Sequence, residues 1–162
     1  MGLLWLLTTR GIPQLYYGTE ILMKGIANPD GWVRPDFPGG WPGDKVNAFT
    51  GVGLSEDQRQ VQQLVSRLGQ FRMGASALKT GRLMQYAPSG GLYVYFRYDA
   101  GQTILCAMNT GMRPVSLNFG RFTERTAGFR WGTDVLTGER RSLAAPAVLP
   151  GRTMWVMELT RL

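Results

Sequence analysis

Histidine is absent from this sequence of 162 residues, and cysteine occurs only once. Without histidine, the chain has no Ser-His-Asp or Cys-His couple, no histidine general base and no histidine metal ligand. The single Cys106 excludes an internal disulfide and a Cys-x-x-Cys site. It stands within Ile-Leu-Cys-Ala-Met, a context typical of a buried strand, so we expect an inert, packed thiol.

Charged residues make up only 18% of the chain, and 18 basic against 11 acidic residues give a formal net charge of +7. The 15 arginines are scattered, and Arg140-Arg141 is the only adjacent basic pair. Because the sequence has no basic cluster and no aromatic-basic run, we expect no nucleic-acid binding. The positive charge is expected on solvated strand faces or opposite an acidic neighbour. The apolar share of 44% is that of a globular protein.

The first seven residues, MGLLWLL, are apolar but lack the basic region and the cleavage site of a secretory signal. They are too short to cross a bilayer, so we expect no membrane partner. We interpret them as the last two turns of a helix that begins before Met1, and the sequence as a fragment. No targeting signal is present, so the sequence leaves the localisation open.

The segment Ile12–Tyr17 is predicted to be a short strand buried on both faces, because it is a short run bounded by glycines. Pro13 suits the first position of a strand. Residues 25–54 are rich in Gly, Pro, Trp and Asp and show no periodicity, so a long loop is predicted. A helix followed by a buried strand indicates an α/β unit.

A helix is predicted over residues 55–73. Ser55 and Gln58 form the capping-box pattern, in which each side chain pairs with a backbone N–H of the other residue. The apolar residues that follow have helical spacing and form one stripe: Val61, Leu64, Val65, Leu68 and Phe71. Gly74 is expected at the C-terminal cap.

From Gly81 onward the apolar pattern has a period of two, which predicts an antiparallel β-sandwich. The predicted strands are Arg82–Ala87, Leu92–Tyr98, Thr103–Met108, Val115–Phe119, Phe129–Val135, Arg141–Leu143 and Met154–Leu159. The sequence thus predicts a mixed fold, with α/β structure over residues 1–78 and an all-β domain over residues 79–162.

Four regions of the chain, the second of them made of two stretches, resemble the α-amylase superfamily, glycoside hydrolase family 13. They are Thr9–Glu20 (TRGIPQLYYGTE), Asn28–Asp36 with Gly40–Asp44, Leu78–Ala87 (LKTGRLMQYA) and Asp134–Gly138 (DVLTG). The first is similar to the eighth-strand motif, and the second is similar to the neopullulanase and cyclomaltodextrinase branch. The other two resemble that branch's C-terminal β-domain. The resemblance implies that residues 1–78 are the remnant of the last β/α unit of a (β/α)8 barrel.

The resemblance also implies which chemistry the chain lacks. Family members are retaining glycosidases, which need two closely spaced carboxylates. Their nucleophile, acid/base and third carboxylate follow earlier barrel strands, before Met1, so no catalytic residue and no activity are expected in this chain alone. No cofactor is implied, and no metal is expected because the family's metal sites use other barrel loops. The implied parent enzyme is expected to be periplasmic or secreted.

The loop after the eighth strand is expected to contribute to the substrate cleft. Relatives hold a distal glucose with an Asp and an Arg spaced four apart, which Asp30 and Arg34 match. Asp accepts hydrogen bonds from sugar hydroxyls and Arg donates them; alternatively, the pair stiffens the loop. Trp32 and Trp41, with Phe37, are candidates for stacking on glucose or for anchoring the loop.

Two function classes remain open. The chain is either the C-terminal part of an α-glucan hydrolase, with α-glucan or maltooligosaccharide as the parent's partner, or a non-catalytic carbohydrate-binding or assembly module derived from one. Tyr93, Tyr95 and Tyr98 are expected to serve the core rather than a second sugar site. Residues 1–54 are expected to bury Leu3, Leu4, Leu7 and Ile12 on the 55–73 helix and the sandwich, or against a second copy or the missing barrel.

Overall fold

The computed structural model describes residues 1–161. Two units are distinguished in it: Met1–Ile12 together with the residues from Leu68 onward, and Pro13–Arg67. The sequence places a domain boundary between residues 78 and 79, whereas residues 1–12 and 68–78 here belong to the unit that holds the sheets. The assignment of residues 1–78 to a catalytic barrel stays a prediction.

Antiparallel β-strands are the main regular structure of the first unit. The strands are β1 Arg82–Gln85, β2 Leu92–Tyr98, β3 Thr103–Asn109, β4 Val115–Leu117, β5 Trp131–Asp134, β6 Arg140–Ser142, β7 Ala147–Leu149 and β8 Thr153–Thr160. A six-stranded sheet has the strand order β1-β2-β3-β8-β5-β6, and β4 and β7 form a second sheet of two strands. The prediction of an antiparallel, mostly β fold after Gly81 is therefore confirmed.

Four α-helices are described: α1 Gly2–Thr8, α2 Glu56–Gly74, α3 Ser76–Lys79 and α4 Thr123–Thr126. One-turn 3₁₀ helices cover Thr19–Ile21, Asp30–Val33 and Phe119–Phe122. Phe119 thus lies in a helical turn, although the sequence predicts it at the end of a strand. The strand β7 was not predicted.

The main core lies between the two sheets. Strand alternation puts Phe96, Leu105 and Met157 side by side on one face, because they are register partners across β2, β3 and β8. Leu117 of β4 and Leu149 of β7 are fully buried in the same cluster. The small sheet therefore covers this face of the large one, as in a sandwich.

The opposite face of the large sheet carries Tyr95, Cys106 and Val156, also in register and fully buried. Tyr95 contacts Thr8 at the end of α1, where the two hydroxyl oxygens are 2.5 Å apart. Leu4 and Leu7 of α1 are buried, at 6% and 5% exposure. The predicted burial of these two leucines is confirmed.

The segment Ile12–Tyr17 is not a strand, so that prediction is wrong. The described residues give it no sheet partner, and Ile12 is 97% exposed. A strand needs neighbours that satisfy its N–H and C=O groups, and an apolar run without such neighbours forms no ladder. The expected burial of Ile12 is therefore also wrong.

In the second unit, the capping box is confirmed. The Ser55 N–H donates to Gln58 Oε1 at 2.9 Å, and the Gln58 N–H donates to Ser55 Oγ at 3.3 Å.

The predicted long loop is confirmed as well. Its only regular structure in the described residues is a 3₁₀ turn at Asp30–Val33 and an isolated bridge between Asn47 and Val52. A small apolar cluster packs the loop against the residues that precede it: Ile21, Ala48 and Leu54, flanked by Met23, Phe37 and Val46.

Candidate functional site

Asp30 and Arg34 form an ion pair on the long loop. Asp30 begins a 3₁₀ turn and Arg34 directly follows it, so one helical turn brings the two side chains together. Arg34 Nη2 donates to both carboxylate oxygens of Asp30, at 3.1 and 2.8 Å. Both side chains are open to solvent, with exposures of 72% for Asp30 and 58% for Arg34. A ligand can therefore reach donors and acceptors of opposite charge at one place.

The two candidate tryptophans have open rings. Trp32 lies in the same 3₁₀ turn as Asp30 and is 65% exposed, and Trp41 is 63% exposed. The Asp44 carboxylate accepts hydrogen bonds from the N–H groups of Gly39 and Trp41, which closes the turn that carries Trp41. Exposed indole faces are apolar surfaces with a polar edge and suit the C–H face of a sugar.

Phe37 differs from the tryptophans because it packs into the small apolar cluster of the loop. Its ring centroid lies 5.3 Å from that of Phe49. Among the three candidate aromatics, Phe37 packs against the apolar cluster, whereas Trp32 and Trp41 do not lie in that cluster.

Tyr17 lies next to the ion pair of Asp30 and Arg34, which the sequence did not predict. The Tyr17 hydroxyl donates to the carbonyl of Pro35 at 3.1 Å, next to Arg34, and the Tyr17 ring lies 4.8 Å from that of Tyr16. The sequence predicts these tyrosines on a strand, whereas here both are exposed and lie outside any strand. No spacing in the sequence signals the contact, because 18 residues separate its partners.

The tyrosines of β2 are held within the protein. Tyr95 is fully buried, and Tyr93 donates to Gln85 Oε1 at 2.7 Å. The Arg125 guanidinium lies 3.9 Å from the ring centroid of Tyr98 and covers one face of it. Cys106 is fully buried, so the predicted packing of this thiol is confirmed, and burial raises the pKa of the thiol to about 12.

Within residues 1–161, no group of three or more His, Cys, Asp or Glu side chains is arranged to hold a metal ion. In the same part of the chain, none of the helices combines the length and the apolarity needed to cross a membrane.

Residues 83–158 match the family model of the cyclo-malto-dextrinase C-terminal domain. The cyclomaltodextrin glucanotransferase of Geobacillus stearothermophilus is 28% identical over 170 residues, which cover 99% of this chain and 21% of the relative. The chain thus spans about a fifth of the length of this curated relative.

Solved structures of other proteins share the fold of this chain over nearly its whole length. AmyP in complex with maltose superposes with a TM-score of 0.71 at 18% identity, over 96% of this chain and 33% of that one. The α-amylase from Geobacillus thermoleovorans, complexed with acarbose, gives a TM-score of 0.68 at 22% identity, over 97% and 32%. The predicted resemblance to the C-terminal part of a glycoside hydrolase family 13 enzyme is therefore confirmed, and residues 83–158 are similar to a cyclo-malto-dextrinase C-terminal domain.

Proposed function

We propose that this chain is the C-terminal part of a retaining enzyme that acts on α-glucans. Residues 1–78 would complete its (β/α)8 barrel, and residues 79–162 would brace the barrel as a β-domain. The observation that carries the proposal is the similarity to the cyclomaltodextrin glucanotransferase, which runs through 99% of the chain and so includes the loop as well as the β-domain. The family match to residues 83–158 supports the β-domain independently.

The loop would supply a distal glucose subsite. The Asp30 carboxylate accepts hydrogen bonds from adjacent sugar hydroxyls, while the Arg34 guanidinium donates to hydroxyl or ring oxygens and orients the carboxylate. Trp32 and Trp41 offer exposed rings for the apolar faces of glucose units. Maltose and acarbose in the complexes of two structural neighbours have this chemistry of hydroxyl-rich rings.

The reaction itself would use carboxylates outside this chain. Retaining hydrolysis needs a nucleophile and an acid/base whose carboxyl groups are about 5 Å apart on either side of the scissile bond. Asp30 is engaged by Arg34, and Glu56 and Asp57 lie in the first turn of α2. In this proposal the chain binds and orients glucan, and the bond is cleaved by those other carboxylates.

Two proteins test this proposal. The 162-residue chain, incubated with soluble starch, pullulan or β-cyclodextrin, is expected to release no reducing ends. Turnover that disappears when a residue of this chain is changed would contradict the proposal. The protein encoded by the reading frame extended upstream is expected to be active, and an upstream sequence without barrel strands and carboxylates would also contradict it.

Within the longer protein, Asp30→Asn tests the subsite. We expect KM for maltohexaose to rise about tenfold at nearly unchanged kcat, because a distal contact contributes to ground-state binding. Asp57→Asn is the matched control, since it removes another exposed carboxylate of the same unit. Equal kinetics for Asp30→Asn and Asp57→Asn would refute the subsite.

Calorimetric titration of the 162-residue chain with maltoheptaose separates the proposal from a non-catalytic binding module. The proposed subsite needs the rest of the cleft, so no heat above dilution is expected. A measurable affinity would favour the carbohydrate-binding module instead. Sedimentation of the same sample tests whether a second copy covers the exposed residues of the loop.

A further inference from the structure

Arg97 on β2 is a buried cation without a carboxylate among its hydrogen-bond partners. It is 1% exposed, and its two terminal nitrogens donate to four backbone carbonyls. Nη1 contacts the carbonyls of Thr8 and Thr9 at 3.1 and 2.7 Å, and Nη2 contacts those of Leu78 and Gly81 at 3.1 and 3.2 Å. A buried charge is costly unless it is paired. Here four carbonyl dipoles stabilise the positive charge of the guanidinium, as a carboxylate usually does.

A second arginine binds the same end of α1. Arg72, in the last turn of α2, donates from Nη1 to the carbonyl of Leu7 at 2.8 Å and from Nη2 to that of Gly11 at 2.9 Å. Together the two arginines engage the carbonyls of Leu7, Thr8, Thr9 and Gly11. A helix leaves its last carbonyls unpaired and favours positive charge there, and α1 has no basic residue in its own last turn.

A third contact fixes the same turn through side chains. Thr8 Oγ1 donates to the Leu4 carbonyl at 2.6 Å, which leaves the oxygen to accept from the Tyr95 hydroxyl at 2.5 Å. Tyr95 and Arg97 stand two positions apart on β2 and therefore face the same side of the sheet. One strand thus supplies both a hydroxyl and a guanidinium to the end of one helix.

We infer that Arg97 and Arg72 form a clamp, the arginine clamp, which holds the C-terminal turn of α1 and residues 9–11 on the β-domain. Both are positioning residues, because neither belongs to the candidate subsite. The consequence for catalysis rests on the proposed function: in the longer enzyme, the clamp fixes the residues that lead into the glucan-binding loop. Loss of the clamp would then weaken glucan binding without touching the subsite itself.

Limited trypsin digestion of the 162-residue chain tests the clamp without any substrate. Arg10 is exposed, so cleavage after it reports whether residues 9–11 are held on the β-domain. In Arg97→Met we expect this cleavage to be about tenfold faster or more, because charge-assisted hydrogen bonds no longer restrain the segment. Cleavage after Lys24 and Lys45, in the other unit, is the internal reference and is expected to be unchanged. Arg113→Met, which removes an exposed arginine, is the matched control.

A second variant keeps the test decisive if Arg97→Met does not fold. Arg72 is half-buried, and Arg72→Met is expected to give the same selective increase after Arg10. Arg97→Lys is expected to be intermediate, because a single ammonium with three donors cannot reach all four carbonyls. Unchanged cleavage after Arg10 in the folded variants would refute the clamp, and so would an equal increase at all three sites.

The longer protein tests the consequence for binding. Arg72→Met is expected to raise KM for maltohexaose several-fold at unchanged kcat. If cleavage after Arg10 rises and KM does not, the clamp stands and its link to the loop is refuted. If the longer protein is inactive, the proposed function fails while the digestion result still decides the clamp.

Discussion

The docking of α1 on the β-domain is tested by Leu4→Ala. Leu4 is 6% exposed, so the substitution removes three buried carbon atoms and leaves a cavity. Leu-to-Ala changes in protein cores cost about 2–5 kcal/mol. A two-turn helix can shift to close part of the cavity, so we expect the lower end, about 2–3 kcal/mol of the free energy of unfolding. For a unit of about a hundred residues, this lowers Tm by roughly 8–12 °C.

The assay is thermal unfolding, with urea unfolding at 25 °C as the second measurement. Trp5→Ala is the control on the same helix, because Trp5 is 42% exposed and its replacement is expected to cost much less. A Leu4→Ala protein that melts within about 1 °C of the parent would refute the docking of α1. An equal loss in Trp5→Ala would show that the effect is not specific to the buried face of α1, because alanine raises the helix propensity in both variants.

Three further changes are expected to have separable effects. Ser55→Ala removes the hydrogen bond to the Gln58 N–H and should cost about 1 kcal/mol in urea unfolding; an unchanged midpoint would argue against the cap. Tyr95→Phe deletes the hydroxyl that contacts Thr8 and should also cost about 1 kcal/mol, which a full denaturant curve can measure. Burial raises the pKa of Cys106 from 9.0 to about 12, so the folded state holds its proton more tightly than the unfolded state. Stability should therefore fall as the pH rises above about 9, less steeply in Cys106→Ala; identical slopes would contradict this reasoning.

The strands of the β-domain were largely predictable because their sequence pattern is local. The bounds of Leu92–Tyr98 agree with the prediction, and Thr103–Asn109 extends it by one residue. Neighbouring residues on such strands must face opposite sides, so it follows from position alone that Phe96 and Tyr95 lie on opposite faces of the sheet. The capped helix was predictable for the same reason, since its signals lie within Ser55 and Gln58.

Elements that depend on distant partners were not predictable. Ile12–Tyr17 has the composition of a buried strand, yet a strand exists only where another strand satisfies its backbone. Ala147–Leu149 is only three residues long and lies between prolines, so no period can be read from it; its pairing with Val115–Leu117 creates the strand. The exposed ion pair of Asp30 and Arg34 was predictable from their spacing of four positions. The contact of Tyr17 with Pro35 was not, because it depends on how the loop folds.

The sequence by itself determined the antiparallel β-domain, the capped helix and the spacing that unites Asp30 with Arg34. These follow from periodicity and capping, which act over a few residues. Only the tertiary structure decided that Arg97 binds four carbonyls. Every residue has a backbone carbonyl, so no residue type in the sequence marks these partners. The tertiary structure also decided that α1 packs on the sheet. The apolar sequence of a helix predicts that it is buried, but it does not predict which surface buries it.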